Sequence, residues 1–408
     1  MPGSVSSGNV LRVEANPATG PDRHYASQSV RRLFWVGLFL RAALALFIHF
    51  FVANDDVFAP DQKGYHVVGK FLADLWGQEV HIVTSTVLPD GPKGYFYIVA
   101  ALYYLIGPYP LVPKLLNCLI GALTIPVAYD LALRMGTSVP AAVRAAKLVT
   151  WFPSLILWSS LNIRDAWIIF LITLMCRQAV ILQSRFSLTA LAGLVGGLLA
   201  LVQFRAYLLF AIGAPILLSF LAQRTRNLFR SLVVGSIVAA AVIYADQAAG
   251  AGRRVRFVDF EELQEIRYWN TVGASSKFEQ VDISTPGKAL LFLPRGLALF
   301  LLAPFPWMLG SVRQALAVPE TLFFYWLIPW MIRGIRRLIR DHLATSLAAI
   351  LITAGLTLGY ALGEGNAGTA YRHRAQLLSF FLIFAATGLD ERYRSRLTVA
   401  ESSRARVA

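Results

Sequence analysis

Ionisable side chains are scarce in this chain: 15% of its 408 residues are charged, and acids, 23 against 38 basic residues, are the rarer sign. Cysteine is nearly missing. The two present, Cys118 and Cys176, lie within apolar runs, so no disulfide and no cysteine-bound metal is expected. His66, His81 and His373 lack metal-ligand spacing, which argues against a zinc centre. No Gly-rich phosphate loop opens a helix, which counts against a soluble nucleotide ligand. No internal repeat period is visible either, and the N-terminus shows no signal-peptide pattern.

Apolar sequence fills the space that charge leaves. The chain is 56% hydrophobic with a mean hydropathy of +0.57, the composition of a polytopic membrane protein rather than a soluble domain. Runs at 33–53, 188–204, 206–222 and 343–362 approach the roughly 20 residues needed to cross a bilayer. The net charge of +15 is not a nucleic-acid footprint, because the arginines fall in short clusters between apolar runs. Arg224, Arg226 and Arg230 form one cluster; Arg333, Arg336, Arg337 and Arg340 form another. That is the positive-inside pattern of cytoplasmic loops, which also attracts anionic lipid.

Charge bias then sets an expected topology. Residues 1–30 are polar and Gly/Ser-rich, and read as a disordered cytoplasmic tail ahead of Arg31 and Arg32. Residues 31–390 read as one all-α integral-membrane domain, a polytopic bundle of about 10–12 spans with external loops and short interfacial helices. Residues 391–408 form a basic cytoplasmic tail. Three polar segments, 54–94, 249–288 and 363–374, fall on the non-cytoplasmic face of the inner membrane. Two apolar segments resist a simple crossing. Counting 95–107 as a span would put Arg134, Arg144 and Lys147 outside; 290–308 contains Pro294, Arg295, Pro304 and Pro306. The first, short for a span, is expected to lie partly in the interface; the second is expected to be re-entrant or interfacial, since broken backbone is tolerated where it lines a cavity.

The scarce charges concentrate on that outer face. Asn54, Asp55 and Asp56 precede Pro60-Asp61-Gln62-Lys63-Gly64-Tyr65, and Gly91-Pro92-Lys93-Gly94-Tyr95 follows. A carboxylate at the bilayer edge, partly desolvated beside a cation, suits a general base that takes a proton from an acceptor hydroxyl or amine. Lys63, Lys93, Arg372 and Arg374 suit a phosphate that gains charge as a bond to it breaks. Each of those cations alone reads equally well as a headgroup anchor. Arg164-Asp165 interrupts an apolar stretch and returns to the same face, as a site pair or as a self-paired turn. The segment 363–374 pairs glycines with Arg372, His373 and Arg374 and suits a phosphate clamp or a plain connecting loop. No cofactor is expected, although Asp55, Asp56 and Asp61 offer the oxygen ligands a divalent metal would need.

In the order of these motifs the chain resembles the membrane glycosyltransferases of the GT-C fold. The likeness is to the RgtA/B/C/D-like and aminoarabinose-transferase group, with protein O-mannosyltransferases more distant, and it runs over roughly residues 33–185. The motifs are a first span, Pro60-Asp61 with Tyr65, Pro92-Lys93-Gly94-Tyr95, a small-residue helix at 115–133 and then Asp165. The resemblance implies Asp61 as catalytic base, Asp165 as the family's later aspartate in the external turn before a span, and Lys93 on a lipid phosphate. It also implies a polyprenyl-phosphate sugar donor and an inverting transfer to an envelope glycan, lipid or protein. Two departures stand out: Gln62 replaces the family's frequent glutamate, and Gly64 replaces its basic residue before the tyrosine. A transporter or flippase of a lipid-linked or polar envelope substrate is the competing class; paired repeats and ionisable groups at the midplane would mark it.

Overall fold

In lipid the backbone must satisfy its own hydrogen bonds, so apolar runs of this length become helices. The computed structural model describes residues 21–52, 57–77, 92–222, 228–248, 260–272, 276–305, 307 and 312–390. Every regular element among them is a helix, as expected. The chain opens with α1 (Pro21–Phe51), α2 (Asp61–Gly77), α3 (Gly94–Ile106), α4 (Leu111–Arg134) and α5 (Val139–Trp151). Next come α6 (Pro153–Ser159), α7 (Asp165–Ser184), α8 (Leu188–Phe204), α9 (Tyr207–Leu221) and α10 (Leu228–Ala248). It ends with α11 (Phe260–Trp269), α12 (Pro286–Leu302), α13 (Val312–Gly363), α14 (Ala367–Ala375) and α15 (Leu378–Asp390). Among the described residues, four stretches are long and apolar enough to cross a membrane: Tyr25–Phe51, Leu111–Arg134, Asp165–Ser184 and Ala315–Gly363. With the shorter apolar helices they make a multi-pass integral membrane protein.

Local chemistry explains several boundaries. Ser138, Ser187 and Asn366 cap α5, α8 and α14, each side-chain oxygen accepting from the amide three residues on. Gly136, at φ +89°, closes α4 in the left-handed region, and a Cβ there would collide with the His342 ring. At His342 α13 breaks. The Ser346 hydroxyl reaches the carbonyl of Leu338 at 3.4 Å, although eight residues of straight helix would hold them about 12 Å apart. The chain therefore reverses there, just past the arginine cluster at 333–340.

Hydrogen bonds sort the bundle into two ends. At one, Asp390 accepts from Ser138 at 2.7 Å and lies 3.8 Å from Arg144 and 3.9 Å from Arg337, close to the Gly136–His342 contact. Helices α4 and α7 run between this end and the other: Trp167 bonds Asn117 at 2.9 Å near one extreme, and Arg177 bonds Asp130 at 2.5 Å towards the opposite one. Gly334 and Gly388 let α13 and α15 cross closely, since a Cβ at either would strike the Phe384 or Trp330 carbonyl.

The two resistant segments behave as their charges demand. Tyr95 at the start of α3 and Asn117 within α4 share a 2.7 Å hydrogen bond, so the chain leaves and regains one level within 22 residues. A crossing and return would need roughly 40. Helix α3 therefore pairs with α2 at the end away from Asp390. In α12, Ala289 and Phe292 cluster with Leu362, Gly296 abuts Ala361, and Phe300 meets the Tyr360 ring at 5.4 Å. Twelve residues pass over three, so α12 lies across the end of α13 rather than alongside it.

Two boundaries differ from expectation. Helix α1 begins at Pro21, inside the segment read as a disordered tail, because Ala26 and Val30 are buried against the bundle and proline suits a first helical turn. The segment 363–374 is largely helical, as α14, where the sequence suggested a loop. Residues 1–20, the 391–408 tail and the arginines at 224 and 226 lie outside the described residues.

Candidate active site

The floor of the site is the Ser160–Arg164 turn between α6 and α7, whose first four residues are buried. Buried backbone must find partners, and polar side chains from three helices supply them. Asn117 donates to the carbonyls of Leu161 at 2.7 Å and Ile163 at 2.8 Å, and accepts from Trp167 Nε1 at 2.9 Å. Tyr95 donates to Asn162 Oδ1 at 2.9 Å. Gln62, standing where the resembled family often has glutamate, accepts from the Asn162 amide at 2.9 Å. An amide at 62 thus serves as a fastener between α2 and this turn. Tyr65 packs edge-on to Tyr95 at 4.7 Å and clamps the start of α2, and with it Asp61, onto α3.

On this floor Asp61 and Asp165 come together through Arg372. Arg372 Nη1 donates to Asp61 Oδ2 at 2.8 Å, while its Nε and Nη2 donate to Asp165 Oδ2 at 2.8 and 2.5 Å. The Asp61 side chain is 48% exposed and that of Asp165 is sealed. Asp165 Oδ1 faces Gln376 Nε2 at 3.4 Å and Arg205 Nη2 at 3.8 Å. One carboxylate is therefore open for chemistry and the other is fixed from both oxygens.

Further cations gather around the C-terminal end of α8, where helix carbonyls favour positive charge. Arg164 donates to the Phe204 carbonyl at 2.8 Å, and its buried Nε has no partner among the described residues. Half-buried Lys93 precedes Gly94, whose Cα packs on Gln203 of α8. Lys63, exposed two residues beyond Asp61 on α2, stands about 200° round the helix from it, so the structure does not bring Lys63 to the carboxylates as the sequence suggested. No carboxylate of the described residues forms an ion pair with Lys63, Lys93 or Arg164, whereas Arg372 is shared by two.

Arg372, His373 and Arg374 cannot all line one site, because consecutive helical residues diverge by about 100°. His373 meets Glu364 and Arg205 behind the carboxylates. Arg374 is buried on another side, donating to the Leu301 and Ala303 carbonyls at 2.6 and 3.0 Å over the rings of Phe324 and Tyr371. The structure thus separates Arg374 from the cluster in which the sequence placed it. Asp55 and Asp56 lie outside the described residues, among which no three His, Cys, Asp or Glu side chains gather as for a metal. Sequence reasoning gave no site role to Asn117, Asn162, Gln376 or Glu364. Their signal was an uncharged amide or a lone charge within an apolar run.

No family model matches the sequence, and no curated protein matches it either. Solved structures do match. The architecture is the GT-C fold of membrane glycosyltransferases. One similar structure is ArnT from Cupriavidus metallidurans bound to undecaprenyl phosphate, with TM-score 0.54 and 13% identity over 90% of this chain and 60% of that one. Another is the archaeal oligosaccharyltransferase AglB from Archaeoglobus fulgidus, in complex with an inhibitory peptide and a dolichol-phosphate. Its TM-score is 0.57, at 11% identity over 95% of this chain and 52% of that one. This chain therefore spans just over half the length of each.

Proposed function

We propose that the protein is a glycosyltransferase that moves a sugar from a polyprenyl-phosphate donor to a hydroxyl or amine of an envelope glycan, lipid or protein. The observation that carries this reading is the bridge itself: carboxylates opening two helices, α2 and α7, are drawn onto one arginine of α14 at one end of a GT-C bundle. Asp61, the open carboxylate, takes the acceptor proton. The acceptor oxygen or nitrogen bonds to the anomeric carbon from the face opposite the phosphate, the sugar–phosphate bond breaks, and polyprenyl phosphate leaves with inversion. Asp165 fixes Arg372, which orients Asp61. Lys93 and Arg164 supply positive charge that no carboxylate among the described residues consumes, as a leaving phosphate requires. Arg372, expected from the sequence on the phosphate, is instead shared by the two carboxylates and orients them. The two similar structures, each holding a polyprenyl-type phosphate, support the donor class. The site end would face away from the cytoplasm, since the arginine-rich end opposite carries the positive-inside signature.

The test is transfer by purified protein offered a panel of polyprenyl-phosphate hexoses and pentoses. One donor should yield a glycosylated acceptor and free polyprenyl phosphate. Accumulation of intact substrate in vesicles, with no covalent product from any donor, would replace the enzyme with a transporter.

A further inference from the structure

His373 stands behind the paired carboxylates, buried, its ring stacked on Tyr360 with centroids 4.7 Å apart. Its Nδ1 meets Glu364 Oε1 and its Nε2 meets Arg205 Nη1. Guanidinium offers donors only. Nε2 must therefore present its lone pair to Arg205, and the ring proton sits on Nδ1, donated to Glu364. Both partners are satisfied only by a neutral imidazole in that one tautomer. Arg205, so held and also bonded to Tyr207 Oη at 2.6 Å, turns its other nitrogen towards Asp165.

We infer that His373, as the neutral Nδ1–H tautomer, is a positioning residue that keeps Arg205 directed at Asp165 and so leaves Arg372 free to reach Asp61. Its consequence for turnover rests on the transferase reading above; the state of the ring does not. Protonation would place an Nε2–H against Arg205 and break the chain Glu364–His373–Arg205–Asp165–Arg372–Asp61. The groups that face the ring are Glu364 and Tyr360 of the α13 end and Arg205 between α8 and α9, with Tyr207 of α9 and Asp165 of α7 beyond it. Burial lowers the His373 pKa from its ordinary 6.5, Glu364 pulls the other way, Arg205 adds to the lowering, and the net direction is down. A lowered histidine is neutral throughout the range above 6.5, so its contribution is complete there and is lost only as pH falls below that value.

The experiment uses full-length protein with ¹⁵N-labelled histidine in detergent micelles, where six histidines give a tractable spectrum and His373→Gln assigns the signal. At pH 7.5 the ring should be neutral with the proton on Nδ1. A protonated ring, or a proton on Nε2, overturns the inference whatever the enzyme transfers. Turnover then tests the role, with undecaprenyl-phosphate hexoses and pentoses as donors. His373→Gln, whose amide oxygen extends towards Arg205 as Nε2 does, should keep kcat within about threefold and lose the acidic limb that His373 contributes. His373→Lys, a fixed cation, should lower kcat about 100-fold with little change in donor KM, the scale of a small misplacement at the reacting centre. Wild-type turnover by a folded His373→Lys protein, while Asp61→Asn is inactive, would overturn this inference alone. Wild-type turnover by Asp61→Asn would instead sink the site reading and leave the spectrum to decide the ring.

Discussion

Arg372→Met removes the side chain that, among the described residues, joins the two carboxylates, and the structure says how unequally they will suffer. Asp165 is sealed from solvent and would keep only Gln376 at 3.4 Å and Arg205 at 3.8 Å. Stranding a buried carboxylate costs about 3–5 kcal/mol when its partner is deleted. With a second cation still nearby, the lower end applies, about 3 kcal/mol. Asp61 is half-exposed, and its pair adds no more than about 1 kcal/mol. Turnover should fall further than stability does, by about 10²-fold or more, because Asp61 loses its orientation. The double variant Arg372→Met/Asp165→Asn discriminates between causes. It removes the stranded charge, so stability should return to within about 1 kcal/mol of the parent while activity stays lost. Reversible unfolding in mixed micelles, read beside donor turnover, supplies both quantities. A single variant as stable as the parent, or a double variant as unstable as the single, would refute the reasoning.

Three further outcomes follow from the same geometry. Lys93→Met should weaken donor use, raising KM about tenfold by loss of one charge-assisted contact, whereas Arg374→Met should lower unfolding stability and leave donor KM unchanged; equal effects on KM would contradict the separation of Arg374 from the site. Asn117→Leu deletes the fastener of the Ser160–Arg164 turn and exposes the Leu161 and Ile163 carbonyls to an apolar neighbour, so unfolding stability should drop by about 1–3 kcal/mol, and turnover with it. Gly388→Val pushes a side chain into the Trp330 carbonyl, and the α13–α15 crossing should loosen by about 3 kcal/mol or more in an unfolding titration; Ala in its place should be milder but still measurable.

Much of this site was readable from the chain alone because charge in an apolar sequence is rarely idle. Asp61 follows the first span and Asp165 interrupts an apolar stretch, so each announced itself by position, and both meet the same arginine. The charge bias also counted against a full crossing at 95–107, and the bond between Tyr95 and Asn117 is consistent with that. The pairing of Arg372 with carboxylates was not readable, because its partners lie 207 and 311 residues away and only packing unites them. Arg374 was grouped with Arg372 for want of a helical phase. The Asn366 cap, with Ala367 and Ala370 after it, was the overlooked sign that 367–375 is a helix. Gln62 looked like a missing acid; in the fold it is the residue that holds Asn162 in place.

The most direct measurement follows free undecaprenyl phosphate and glycosylated acceptor together over time, with parent protein and Asp61→Asn side by side. The parent should release one lipid phosphate for each sugar transferred, and folded Asp61→Asn should release none above background. Equal release by both proteins, or sugar movement across a vesicle with no new glycosidic bond, would contradict the transferase reading.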